Sequence, residues 1–187
     1  LLFTGDYKKD NIFFKVSDLP NWVLDLPLTV IQESTYGDQN LQEINYCFKN
    51  NIFQATQEKK DIVIPVFSLG RSQEIAYILR TMQDSHMLSP NYPIYLDGPL
   101  TQKYTEIYLK CDIGIDSAMK DFLPKNLQYI NNDNRLDIVS STKPKIVLTS
   151  SGMGSYGPAQ THIPVVIQRK NALIHFTGYM AENTLGR

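Results

Sequence analysis

Three stretches of this chain set small residues and hydroxyls where an apolar run gives way to a polar one. The run Leu148–Ile163, LTSSGMGSYGPAQTHI, brings Ser150, Ser151, Gly152 and Ser155 close together. FSLGRSQE places Ser68 and Gly70 ahead of Arg71, and LDGPL offers Gly98 before Pro99, a favourable first helical residue. Where a strand turns into a helix, free amides and the helix dipole favour an anion. Open α/β sheets bind their ligands at that end. Arg71 adds a guanidinium fork that matches a phosphate; the plainer alternative is a capped helix with Arg71 paired to Glu74 at i,i+3. Three such ends in one sheet read as a track for a phosphodiester chain.

Two acids stand in similar places. Asp6 follows a strand in FTGDY, and Glu33 follows another in QESTYG. Two carboxylates leaving neighbouring strands could share one site, while an Asx-type turn is the plain reading of each alone. Of the three histidines, His86 falls in a loop and reads as solvated, whereas His162 in a helix and His175 in an apolar strand read as structural. With no HxH pair and no HExxH, the chain is not expected to build a nitrogen-rich zinc site by itself. Cys47 and Cys111 lack CxxC spacing and read as buried free thiols, in keeping with a reducing cytoplasm.

The elements that must position these residues follow from hydrophobic period. Short strands are expected at Leu1–Gly5 and from Leu28. A helix is expected over Asn40–Lys59, with Leu41, Ile44, Cys47, Phe48, Ile52 and Phe53 on one face. Asp61–Phe67 is a continuous apolar strand of the kind covered on both faces, and the next helix turns Ile75, Ile78, Leu79 and Met82 inward. Strands from Pro93, Lys145 and Asn171 alternate with helices, and DNRLDIVSSTKP reads as a short helix and a loop. Helix-length connections require a mostly parallel sheet, so the fold class is three-layer α/β.

Composition sets outer limits. The 187 residues, 42% hydrophobic and 20% charged, suffice for one good core and argue against disorder. A net charge of −1 means that any nucleic acid is held by local donors, because the global field offers no attraction. There is no apolar run of membrane-spanning length. The first residues lack the features of a signal peptide, and both ends read as cut from a longer protein.

In order and spacing, LLFTGDY, VIQESTYGD, IPVFSLGRSQEIAYIL, PIYLDGPLTQKYTEIY, IVLTSSGMGSYGP and HFTGYMAENTLGR resemble the metallo-β-lactamase-fold nucleases that carry a β-CASP domain. The similarity spans essentially the whole chain and is greatest to the bacterial and archaeal RNA-processing branch.

The resemblance implies residues 1–37 as part of a metallo-β-lactamase αββα domain, 38–177 as the inserted β-CASP domain and 178–187 as the return. It implies hydrolysis of RNA phosphodiester bonds with two zinc ions, roughly 3.5 to 4 Å apart, that activate a bridging hydroxide. Asp6 matches the bridging metal ligand, and Glu33 matches an acid that supports the site. Arg71, Ser150 and Ser151 match regions lining the RNA path; with Ser68, Gly70, Gly152, Ser155 and Thr184 they form the expected substrate-binding set. Single-stranded RNA and the remaining lactamase segments are the implied partners, with a homodimer left open and no membrane.

The family's HxHxDH cluster is absent from this sequence, so the isolated chain is expected to be inactive and to hold no zinc. Gly98 replaces a usual serine, Asn183 a usual glycine, and Gly154 and Tyr156 alter the SGM turn. A non-catalytic RNA-binding or scaffold subunit is the main alternative, and a stand-alone phosphate- or nucleotide-binding module a weaker one.

Overall fold

Every residue of Asp61–Pro65 is buried, as expected of an apolar strand covered on both faces. In the computed structural model, which describes residues 1–6, 12–14, 18–35, 37, 41–111 and 121–187, this strand is β3. The chain runs β1 (Leu2–Phe3), α1 (Asn21–Leu24), β2 (Val30–Ile31), α2 (Leu41–Gln57), β3, α3 (Arg71–Asp84), β4 (Ile94–Asp97) and α4 (Pro99–Lys110). It continues β5 (Leu127–Ile130), α5 (Arg135–Ser140), β6 (Lys145–Thr149), α6 (Ala159–Val166) and β7 (Ala172–Ile174).

Five strands form one sheet in the order β5-β4-β6-β3-β7, every pair parallel, while β1 and β2 form a separate parallel pair. The period of two sorts the side chains. Ile62, Ile64, Ile94, Leu96, Ile146 and Leu148 meet α2, α3 and α4 through Phe48, Ile52, Ile75, Leu79 and Tyr108. Val63 and Val147 face the other way and meet Ala159, Ile163 and Val166 of α6, with Ile138 of α5 beside them. This is the three-layer α/β sandwich expected.

The layering has a consequence for ligand binding. Helices α3 and α4, which follow β3 and β4, lie on one face, and α6, which follows β6, lies on the other. Since β6 sits between β3 and β4, its carboxyl end is flanked on both sides by connections departing oppositely. That reversal opens a crevice at the strand ends.

The amino edge is closed by a buried ion cluster. Lys145 Nζ lies 2.9 Å from Asp61 Oδ1, and Arg169 reaches Asp61 Oδ2 as well as the carbonyls of Val139 and Ser141. Burial pulls the Lys145 ammonium below its usual range, against the opposing pull of Asp61.

Several expectations need correction. Cys47 and Cys111 are exposed, and Phe53 is 37% exposed. The buried stripe of α2 runs through Phe48, Ile52 and Ala55, narrower than the face expected, and Cys111 lies at the exposed end of α4. Asn40 and the side chains of Leu41 and Ile44 lie outside the described residues. Strand β5 was not expected, because its exposed Gln128 and Tyr129 mask a sheet edge. No helix among the described residues is long and apolar enough to cross a membrane.

Candidate nucleic-acid interface

The turn after β6 is held by its own backbone. Ser150 N–H donates to Asp97 O at 3.2 Å, and Ala159 N–H, opening α6, donates to Ser150 O at 2.8 Å. Ser151 N–H donates to Tyr156 O at 3.0 Å, and Tyr156 N–H returns to Ser151 Oγ at 3.2 Å. Ser155 O accepts from Gln160 Nε2 at 2.7 Å, while Ser155 Oγ accepts from Leu185 N–H at 3.0 Å. In the bonds from Tyr156 N–H and Leu185 N–H the hydroxyls of Ser151 and Ser155 are the acceptors, so each keeps its own proton to donate.

These bonds gather the sequence-separated candidates. Gly186 N–H donates to Met153 O at 3.1 Å, and Thr184 Oγ donates to Ala181 O at 2.7 Å, so the closing NTLGR segment lies against the Ser150–Ser155 turn. On the β3 side the approach is closer still. A Cβ on Gly152 would stand 2.8 Å from Phe67 Cδ2 and 2.9 Å from Phe67 N, so only glycine lets the turn lie against the exit of β3. Ser68 follows directly.

The Ser68–Arg71 stretch is more self-contained than free helix amides require. Gly70 N–H donates to Gln73 Oε1 at 2.8 Å, and Ser68 O accepts from Ser72 Oγ at 2.9 Å. Arg71 NH1 lies 3.1 Å from Glu74 Oε2, the ion pair that stood as the alternative to a phosphate. The Arg71 side chain is 30% exposed, while the Glu74 side chain it pairs with is only 8% exposed.

Asp6 and Glu33 follow β1 and β2, the parallel pair separate from the five-stranded sheet. Asp6 is exposed, and Glu33 Oε2 accepts from Thr35 N–H at 2.9 Å in a local turn. Zinc in a catalytic site takes three protein ligands and a water. Among the described residues no group of three or more His, Cys, Asp or Glu converges as a metal site. The described residues therefore do not by themselves fit a zinc centre, and Asp6 is a single carboxylate.

Sequence reasoning passed over the most heavily engaged charges. Asp97, at the end of β4, is fully buried, and its carboxylate receives Arg135 Nε at 2.8 Å and NH2 at 2.9 Å. The same carboxylate lies 2.8 Å from His162 Nε2. Burial alone would push the Asp97 carboxyl up, but hydrogen bonds from His162 and Arg135 outweigh it and hold the group below its ordinary value. Bonding to Asp97 raises the Arg135 guanidinium in turn. The signal was present in LDGPL: an acid at a strand's carboxyl end, one residue before Gly98.

Comparison with known proteins accords with this geometry. A Beta-Casp domain model matches residues 72–187. The chain is 33% identical over 174 residues to transcription termination factor FttA of Methanococcus maripaludis, covering 85% of this chain and 27% of that protein. It is 30% identical over 165 residues to an RNase J-like protein of Methanocaldococcus jannaschii, covering 84% of this chain and 38% of that one. It is 27% identical over 195 residues to endoribonuclease ysh1 of Schizosaccharomyces pombe, covering all of this chain and 25% of that one. The chain thus spans well under half the length of these relatives. A matched domain over more than half its residues, on the parallel three-layer sheet described above, means that the chain belongs to the β-CASP family.

Proposed function

We propose that this chain is the RNA-holding part of a zinc-dependent ribonuclease that hydrolyses phosphodiester bonds. The observation that carries the reading is the Ser150–Ser155 turn at the reversal of the sheet, with the β3 exit and the Thr184 segment beside it. Hydroxyl and amide donors there suit the phosphates of a single strand, and most protein–nucleic acid hydrogen bonds go to such oxygens. With a net charge of −1, binding rests on those donors and on Arg71.

Hydrolysis belongs to the longer protein, in which Asp6 would supply one metal ligand and Glu33 would support the site. The isolated chain is inactive on this reading. Residues 1–37 and 178–187 flank the inserted domain, and the exposed Leu1, Phe3, Trp22, Leu24, Val30 and Ile31 around the β1–β2 pair support an apolar neighbour for the first of these.

The test is fluorescence anisotropy of a labelled single-stranded RNA oligonucleotide with the purified chain, competed with mononucleotide. Displacement only by unlabelled single strands supports the reading. Equal displacement by mononucleotide supports a small-ligand module instead.

A further inference from the structure

We propose that Asp97 is a positioning residue for the RNA-holding turn, acting through His162 and Arg135; the inference rests on the reading of that turn given above. Asp97 grips the turn at two levels. Its carbonyl accepts Ser150 N–H, which sets where the turn leaves β6. Its carboxylate holds His162, one helical turn beyond Ala159, and Ala159 N–H in turn holds Ser150 O. The backbone of Ser150 is thus clamped from β4 through its N–H and from α6 through its C=O. Arg135 fixes the carboxylate's orientation with two parallel bonds from α5 and adds one to Asn132 Oδ1 at 2.7 Å.

The surroundings leave the clamp little room to adjust. Thr149 is the cross-strand partner of Asp97, and its hydroxyl is buried without a hydrogen-bond partner, as is His162 Nδ1. A Cβ on Gly98 would stand 2.5 Å from Ser150 Oγ and 2.7 Å from Thr101 Oγ1, so both hydroxyls crowd the step between Asp97 and α4. An asparagine at position 97 would face donors from Arg135 and His162 with one acceptor oxygen and one NH2 group that only donates. It cannot satisfy them together.

The test uses the full chain and two readouts: affinity for a labelled single-stranded RNA oligonucleotide, and hydrogen exchange at the amides of Ser151, Gly154 and Tyr156. Asp97→Asn is expected to weaken RNA binding about tenfold, the loss of roughly one charged hydrogen bond. Exchange at the three amides should quicken by a similar factor. The matched control is Asp61→Asn, which breaks the buried ion cluster at the opposite edge and should leave both readouts near wild type. Unchanged exchange in Asp97→Asn, or equal effects of the two variants, would overturn the proposal. If Asp97→Asn does not fold, His162→Gln carries the same expectation with Arg135 and Asp97 still paired. Wild-type chain that binds no RNA would refute the function proposed above, whereas the exchange readout would still decide the positioning role.

Discussion

Asp97 and His162 stand 65 positions apart in sequence and 2.8 Å apart in space, both essentially buried. This pair, with Arg135, ties β4 and α5 to the helix that begins at the candidate RNA-holding turn. Because the folded-state pKa of Asp97 is lowered, the unfolded chain binds more protons than the folded one in the acid range. The carboxylate therefore contributes stability that is complete above its ordinary value of 3.8 and is lost as pH falls through the folded value. Urea melts in acid should show that loss, and Asp97→Asn should flatten it while costing about 3 kcal/mol near neutrality. An unchanged acid limb in the variant would assign the loss to other carboxylates.

His175 gives a second window of pH. Its Nδ1 lies 3.0 Å from Phe176 O and its Nε2 lies 3.3 Å from Asn51 Nδ2, which fixes a neutral ring with the proton on Nδ1. Burial lowers its pKa from 6.5, against opposing backbone hydrogen bonds. Below 6.5 the unfolded chain takes up the proton first, so stability falls as the solution is acidified through that value. His175→Gln should reduce this dependence between neutral and mildly acid pH, as read by thermal melts.

Two separate features of this chain favour glycine at position 98. Its φ of 148° is a conformation that side-chain-bearing residues rarely adopt, and a Cβ would overlap the Ser150 and Thr101 hydroxyls. Gly98→Ala should destabilise the chain by about 2 kcal/mol. Gly70, at φ 79° with open space around its Cβ position, has only the backbone penalty. Gly70→Ala should cost about 1 kcal/mol. A smaller loss at Gly98 than at Gly70, by denaturant titration, would contradict the crowding.

Much of this architecture was legible in the sequence because the central strands are continuous apolar runs that tolerate no other placement. Asp61–Pro65 and Lys145–Thr149 are buried throughout, and their small-residue exits were read directly. What escaped was set by tertiary context. Strand β5 carries the mixed pattern of an edge, with Leu127 half-buried, Gln128 and Tyr129 exposed and Ile130 buried, so its own residues gave no strand signal. Cys47 and Phe53 fall beside the narrow stripe by which α2 meets the sheet. Asp97 was passed over because a buried acid is legible only through its partners, and these lie 38 and 65 positions away.

Arg71 separates two uses of one guanidinium. In the chain alone it pairs with Glu74. If it transfers to an RNA phosphate, Arg71→Ala should weaken single-strand binding and reduce the slope of log K against log salt by about one phosphate. An unchanged slope would leave Arg71 as a helix-capping ion pair.

The central claim is that RNA lies along the carboxyl edge of the sheet, and photocrosslinking tests it most directly. A single-stranded oligonucleotide with 4-thiouridine, crosslinked to the chain and mapped by peptide mass spectrometry, should mark the segments around 150–157, 67–71 and 184–186. Crosslinks confined to the amino edge around Asp61, Lys145 and Arg169, or to the outer faces of the helices, would contradict it.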